Sequence, residues 1–146
     1  TLLGYQPFEV LLDHMQRARA FVFAAEEDFG IAPIEAQACG TPVIAFARGG
    51  VLETVRGLEH EQPTGVFYAE QSQASIIAGV ELCEREQGRI TPQACRRSAE
   101  RFAAERFKEE IRLFVEMRLR EASLQDVQTG SASRLVSPIY SAARHA

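Results

Sequence analysis

Three cysteines in 146 residues, Cys39, Cys83 and Cys95, are too few and too scattered for a disulfide framework. No Cys-x-x-Cys pair occurs, so the thiols are expected to be buried and reduced, as in a cytoplasmic protein. Basic charge is also short. Sixteen Lys and Arg stand against 20 Asp and Glu, for a net charge of −4 and a pI near 5.4. A nucleic-acid partner would call for a basic stripe and is not expected. No apolar run approaches the roughly 18 residues that span a bilayer. No signal-peptide pattern of basic, apolar and small residues occurs, and the chain opens at Thr1, which reads as a fragment or a processed chain. There is no Asp-x-Asp, so no metal site is expected. His14, His60 and His145 are scattered and read as surface or packing residues.

What is present is the profile of one folded domain, with 46% hydrophobic and 25% charged residues. Leu2-Leu3-Gly4 reads as the end of a strand. Pro7 to Arg19 reads as a helix, with Phe8, Leu11, Leu12 and Met15 on one side and Asp13, Gln16 and Arg17 on the other. The continuous apolar run Ala20–Ala24 suits a strand buried on both faces. A helix is expected from Pro33 to Cys39, with Pro at its first position and Gly40 closing it. Pro42–Phe46 is a second strand, Gly49-Gly50 a turn, Val51–Arg56 a short helix and Thr64–Tyr68 a third strand. Ser72 or Ser75 caps a helix running to about Gln87, and Thr91-Pro92 starts another. Phe107, Ile111, Phe114 and Val115 mark one face of a last helix. Alternation of strands and helices implies an α/β, Rossmann-like parallel sheet flanked by helices, followed by C-terminal helices. The composition turns to Ser, Ala, Gln and Thr near Ala122, so the expected organisation is a domain over 1–121 and a poorly ordered tail over 122–146.

The most informative stretch is Glu26-Glu27-Asp28-Phe29-Gly30 … Glu35 … Gly40-Thr41-Pro42. Glu27 and Glu35 have seven residues between them and straddle a loop-to-helix junction. A helix N-terminus beside a glycine is a ready anion site: its free N–H groups and dipole favour negative charge, and glycine lets a ligand approach the backbone. A diphosphate would suit those N–H groups, and the carboxylates would accept hydrogen bonds from hydroxyls on either side of it. A nucleotide-sugar has that layout, with Glu27 toward the sugar and Glu35 toward the ribose. The same residues also fit ordinary helix-dipole stabilisation beside a solvated acidic loop. On the physical pattern alone both readings stand.

The residues Glu27-Asp28-Phe29-Gly30 … Glu35-Ala36-Gln37-Ala38-Cys39-Gly40-Thr41-Pro42-Val43-Ile44 … Gly49-Gly50 closely resemble the donor-binding half of retaining glycosyltransferases of family 4. The resemblance covers roughly residues 1–120 and implies part of the C-terminal domain of a GT-B fold. Glu27 matches the catalytic glutamate beside the donor sugar. Phe29, Gly30 and Ile31 match the backbone groups that meet sugar and diphosphate, and Glu35 the glutamate on the ribose. Gly49-Gly50 resembles a turn near the phosphates, and Gly4-Tyr5-Gln6 the segment beside the nucleobase. Asp28 stands where the signature commonly has glycine. The form of the motif, with Glu53-Thr54-Val55, is similar to bacterial mannosyltransferases of surface-polysaccharide and lipopolysaccharide synthesis, which implies GDP-mannose, or another GDP- or UDP-linked hexose, as donor.

The implied reaction moves a hexose to an acceptor hydroxyl with retention at the anomeric carbon, without metal, the nucleotide-sugar being a co-substrate. The family's Arg and Lys from an earlier βα unit and its acceptor-binding N-terminal domain lie outside this sequence. The isolated chain is therefore expected to be inactive, and a non-catalytic nucleotide-sugar-binding or assembly module is the alternative. An epimerase is disfavoured by the Glu-x7-Glu spacing. A phosphorylase is disfavoured because the only lysine, Lys108, lies outside the motif. Between Arg96 and Arg120, eight basic residues face five Glu, a net of +3. One reading is a peripheral contact at the inner face of the membrane, since the family often uses lipid-linked acceptors. The other is a solvated helix face packing Phe107, Ile111 and Phe114 on the sheet.

Overall fold

The structure, a computed structural model, describes residues 1–128. The chain divides into two compact units, Thr1–Arg106 and Phe107–Ala146. The described elements run α1 (Phe8–Arg17), β1 (Phe21–Phe23), α2 (Ile31–Ala38), β2 (Val43–Phe46), α3 (Val51–Thr54), β3 (Gly65–Tyr68), α4 (Gln73–Arg85), α5 (Pro92–Glu100) and α6 (Ala104–Gln128). The strands form one parallel sheet in the order β1-β2-β3, with Phe21 opposite Val43 and Val43 opposite Gly65.

The central strand explains the layering. Successive side chains of a strand point to opposite faces. Val43 and Ala45 of β2 join Phe23, Ala36, Val51 and Val55 in one core, on the side of α2 and α3. Ile44 and Phe46 join Val66, Tyr68, Cys83, Ile90 and Cys95 in the other, on the side of α4. All four residues of β2 are buried, as the apolar run requires. The caps read from sequence are present: Ser72 Oγ accepts from Ser75 N–H at the start of α4, and Thr91 Oγ1 from Ala94 N–H at the start of α5.

Three expectations are corrected. Leu2-Leu3-Gly4 forms no strand and is exposed, because no neighbouring strand takes up its backbone groups. β1 is an edge strand of the described sheet rather than one covered on both faces: Val22 is 45% exposed. α2 begins at Ile31, two residues before Pro33, so Pro33 occupies the third helical position. The N–H groups of a helix's first turn have no partner inside the helix, so proline is tolerated there and marks the turn, not its first residue. Phe107, Ile111, Phe114 and Val115 all fall within α6, in the second unit. α6 runs from Ala104 to Gln128, and positions 129–146, most of the expected tail, lie outside the described residues. α1 forms as expected, but none of its residues is buried; Thr41 Oγ1 donates to Met15 O and ties its end to the α2–β2 loop.

Truncating Ile44 to Ala should cost about 3 kcal/mol in chemical denaturation, because both the transfer term and the cavity fall in a packed core. Val22→Ala at the exposed edge should cost under about 1 kcal/mol. The buried thiols add a pH dependence. Burial pushes Cys95 up from the ordinary 9.0 to about 11, and raises Cys83 as well. The folded chain therefore holds these protons longer than the unfolded one, so stability is full below pH 9 and falls as pH rises from 9 to 11. Denaturation across that window should show the fall, and Cys95→Ala should flatten it.

Candidate functional site

In an open parallel sheet, the loops at the carboxyl ends of the strands share one edge. Here they are residues 24–30 after β1, 47–50 after β2 and 69–72 after β3. The first turns into α2 at Gly30, whose φ of +80° lies in the left-handed region open to glycine. No side chain caps this helix. Among the described residues the N–H groups of Gly30, Ile31 and Ala32 meet no protein acceptor, and Pro33 has none to offer. Three consecutive donors without a protein acceptor therefore gather at the positive end of one helix.

Carboxylates surround it. Glu26, Glu27 and Asp28 are exposed on the loop. Glu35 is also exposed, in the second turn of α2 rather than the first, a consequence of the earlier helix start. None of the four carboxylates has a hydrogen-bond or ion-pair partner among the described residues, so all can accept bonds from hydroxyls. The placement also weakens the helix-dipole reading of Glu35, since that effect fades beyond the first turn.

The glycine turn braces this loop from the other side. Gly50 N–H donates to Glu27 O at 2.7 Å. A β-carbon at Gly49 would lie 2.4 Å from Glu27 O, and one at Gly50 2.3 Å from Asp28 O and 2.5 Å from Phe29 Cα. Backbone rests on backbone, which only glycine permits. The third loop joins in: Gln71 Nε2 donates to Ala24 O at 2.7 Å, and Tyr68 OH to Phe23 O at 3.3 Å. Gly4 and Tyr5 are exposed and Gln6 is half-buried, its Nε2 bonded back to Leu3 O.

Two features escaped the sequence reading. Phe29, 46% exposed, meets Phe102 edge-on at 5.6 Å between ring centres, and Arg101 lies over Phe102 at 5.0 Å. Burial first, then the charges of Arg56 and Arg106, pull Arg101 below its ordinary range, where it stays charged. Phe102 was legible only as part of a helical segment. The second is Gln37, wholly buried, whose Nε2 donates to Pro33 O and Thr54 O. Cys39 is no activated nucleophile: burial first, then the nearby Glu35 charge, hold its thiol above the usual range.

A sequence profile described as "Glycosyl transferases group 1" matches residues 1–102. A D-inositol 3-phosphate glycosyltransferase of Geodermatophilus obscurus is 37% identical over 101 residues, 67% of this chain and 21% of that protein. The enzyme of the same name from Mycobacterium tuberculosis is 39% identical over 80 residues, 54% of this chain and 16% of its own length. The chain thus spans about a fifth of the curated relatives it matches. Among solved structures, sucrose-phosphate synthase from Thermosynechococcus elongatus superposes with a TM-score of 0.68 at 26% identity, over 83% of this chain and 30% of that one. The catalytic domain of starch synthase IV from Arabidopsis thaliana, bound to ADP and acarbose, shares the fold, with a TM-score of 0.57 at 16% identity over 84% of this chain and 26% of its own.

Gly50→Ala should force the Glu27–Phe29 loop and the turn apart, at a cost of about 1–3 kcal/mol. Gly88→Ala, where a β-carbon meets nothing within 4 Å, should cost less than about 0.5 kcal/mol. Paired thermal melts check the contrast, and equal melting temperatures would show that the turn does not brace the loop.

Proposed function

Because this chain belongs to the group 1 glycosyl transferases, with the parallel sheet and flanking helices of a GT-B C-terminal domain, we propose that its carboxyl edge binds the nucleotide-diphosphate sugar of a retaining, family 4 hexosyl transfer. The observation that carries the reading is the juxtaposition at α2: three unpaired N–H groups at Gly30, Ile31 and Ala32, flanked by carboxylates with no protein partner. Free donors suit a diphosphate and free carboxylates suit sugar hydroxyls, so both halves of a nucleotide-sugar find complementary groups.

Transfer must stabilise a sugar that becomes oxocarbenium-like while a diphosphate departs. Preorganised donors aimed at developing charge are the efficient way to do it. The N–H groups of Gly30 and Ile31, with Phe29 leading into them, hold the departing diphosphate against the start of α2. Glu27, on the loop braced by Gly49 and Gly50, takes the sugar hydroxyls and faces the positive charge that grows at the anomeric carbon. Glu35 takes the ribose. Gly49 and Gly50 keep this geometry through the loop backbone. Needing no metal is part of the proposal, as is an acceptor held by an N-terminal domain outside this chain. No helix among the described residues is long and apolar enough to cross a membrane. Work at the cytoplasmic face, with a peripheral contact to a lipid-linked acceptor, completes the reading.

The comparisons leave donor and acceptor open. The motif favours mannose from a GDP-linked donor. The names of the relatives carry inositol phosphate and sucrose phosphate, and the starch synthase was bound to ADP. Calorimetric titration of the chain with GDP, UDP, ADP and their hexose conjugates separates these. One base should saturate the chain. Glu35→Ala should weaken that nucleotide about tenfold, near 1.4 kcal/mol, whereas Glu27→Ala should weaken the sugar conjugate more than the bare nucleotide. A folded chain that binds none of them would count against the site. Binding with no transfer by the full-length enzyme would leave a non-catalytic binding module.

A further inference from the structure

Gln37 is a buried amide in a helix that sequence pattern alone would fill with an apolar residue. Its Nε2 makes two bonds, to Pro33 O at 3.2 Å in the first turn of α2 and to Thr54 O at 3.1 Å at the end of α3. Its Oε1 and the hydroxyl of Thr54 are also buried and meet no protein partner. Buried polar atoms are normally paired, and an apolar side chain of the same shape is commonly neutral or better for stability. Gln37 is therefore a poor choice for stability alone, and what its amide holds together gives the reason.

The bonds close a ring. From Glu27 the chain runs through the loop and α2 to Gln37. Gln37 crosses to Thr54, α3 leads back to Gly50, and Gly50 N–H returns to Glu27 O. One link of the ring is backbone and one is the Gln37 side chain. The unpaired N–H groups of Gly30 to Ala32 lie inside the segment that the ring encloses. Without the amide, α3 itself would be tied to α2 by apolar contacts alone, which are non-directional.

We propose that Gln37 is a positioning residue: its side-chain amide locks α3 and the Gly49-Gly50 turn to the start of α2, so that loop and donors are held in one geometry. Its value for ligand affinity rests on the donor-binding reading above; the ring itself does not. Gln37→Met keeps the shape and removes the amide, and Thr54→Val removes only the unpaired hydroxyl. Amide hydrogen exchange by NMR should show protection at Gly50 falling at least about tenfold in Gln37→Met, with the β2 amides of Val43–Phe46 unchanged and the melting temperature within about 5 °C of the parent. Thr54→Val should leave Gly50 as in the parent. In the same samples, affinity for whichever nucleotide the parent binds should fall in Gln37→Met only. Unchanged protection at Gly50 overturns the proposal, and so does a loss shared equally by β2, which would make Gln37 a support of the whole fold. A parent that binds no nucleotide sinks the donor-binding reading, while the exchange data still decide the ring.

Discussion

The contact on which this domain's functional edge depends is backbone against backbone: Gly50 lies so close to Asp28 and Phe29 that no β-carbon fits between them. Loops at the end of a sheet are usually its least constrained parts, because few apolar contacts reach them. Here the constraint comes from proximity itself. The Gly50–Glu27 hydrogen bond supplies direction, and the left-handed Gly30 then aims the chain into α2. The side chains of this loop stay free of structural duty, since the main chain does the holding. That division explains why Glu27 and Glu35 have no partner within the protein while the residues between them are tightly placed.

The sheet sets the position of that edge, and its strands were readable because burial on two faces demands unbroken apolar runs. Val43–Phe46 and Gly65–Tyr68 are of this kind. The caps at Ser72 and Thr91 were readable for a different reason: a hydroxyl before a helix satisfies a local N–H and needs no distant neighbour. Errors came where an answer depended on what lies alongside. The same kind of apolar run left Val22 exposed, because a strand's cover is decided by neighbours and not by its own residues. Proline constrains a helix's first turn without naming its first residue, hence the misplaced start of α2.

The resemblance singled out Glu27, Phe29, Gly30, Ile31, Glu35, Gly49 and Gly50 as candidates, and the structure shows what several of them do mechanically. It brings Gly49 and Gly50 onto the Glu27–Phe29 backbone and leaves the two carboxylates open. The Phe29–Phe102 contact and the Gln37 bridge to Thr54 were invisible in one dimension. Each joins segments far apart in sequence, and neither leaves a local trace. Residues that touch ligands tend to sit in recognisable local patterns, whereas residues that hold them in place are scattered along the chain.

The short edge strand β1 has a consequence of another kind. Its outer side offers backbone donors and acceptors with no described strand to take them, beside a half-exposed Val22. Such a margin is adhesive: a second chain can add a strand there at little cost. At three residues, β1 makes a short template for it. Any such pairing would use the lateral margin of the sheet, away from the end where its loops gather.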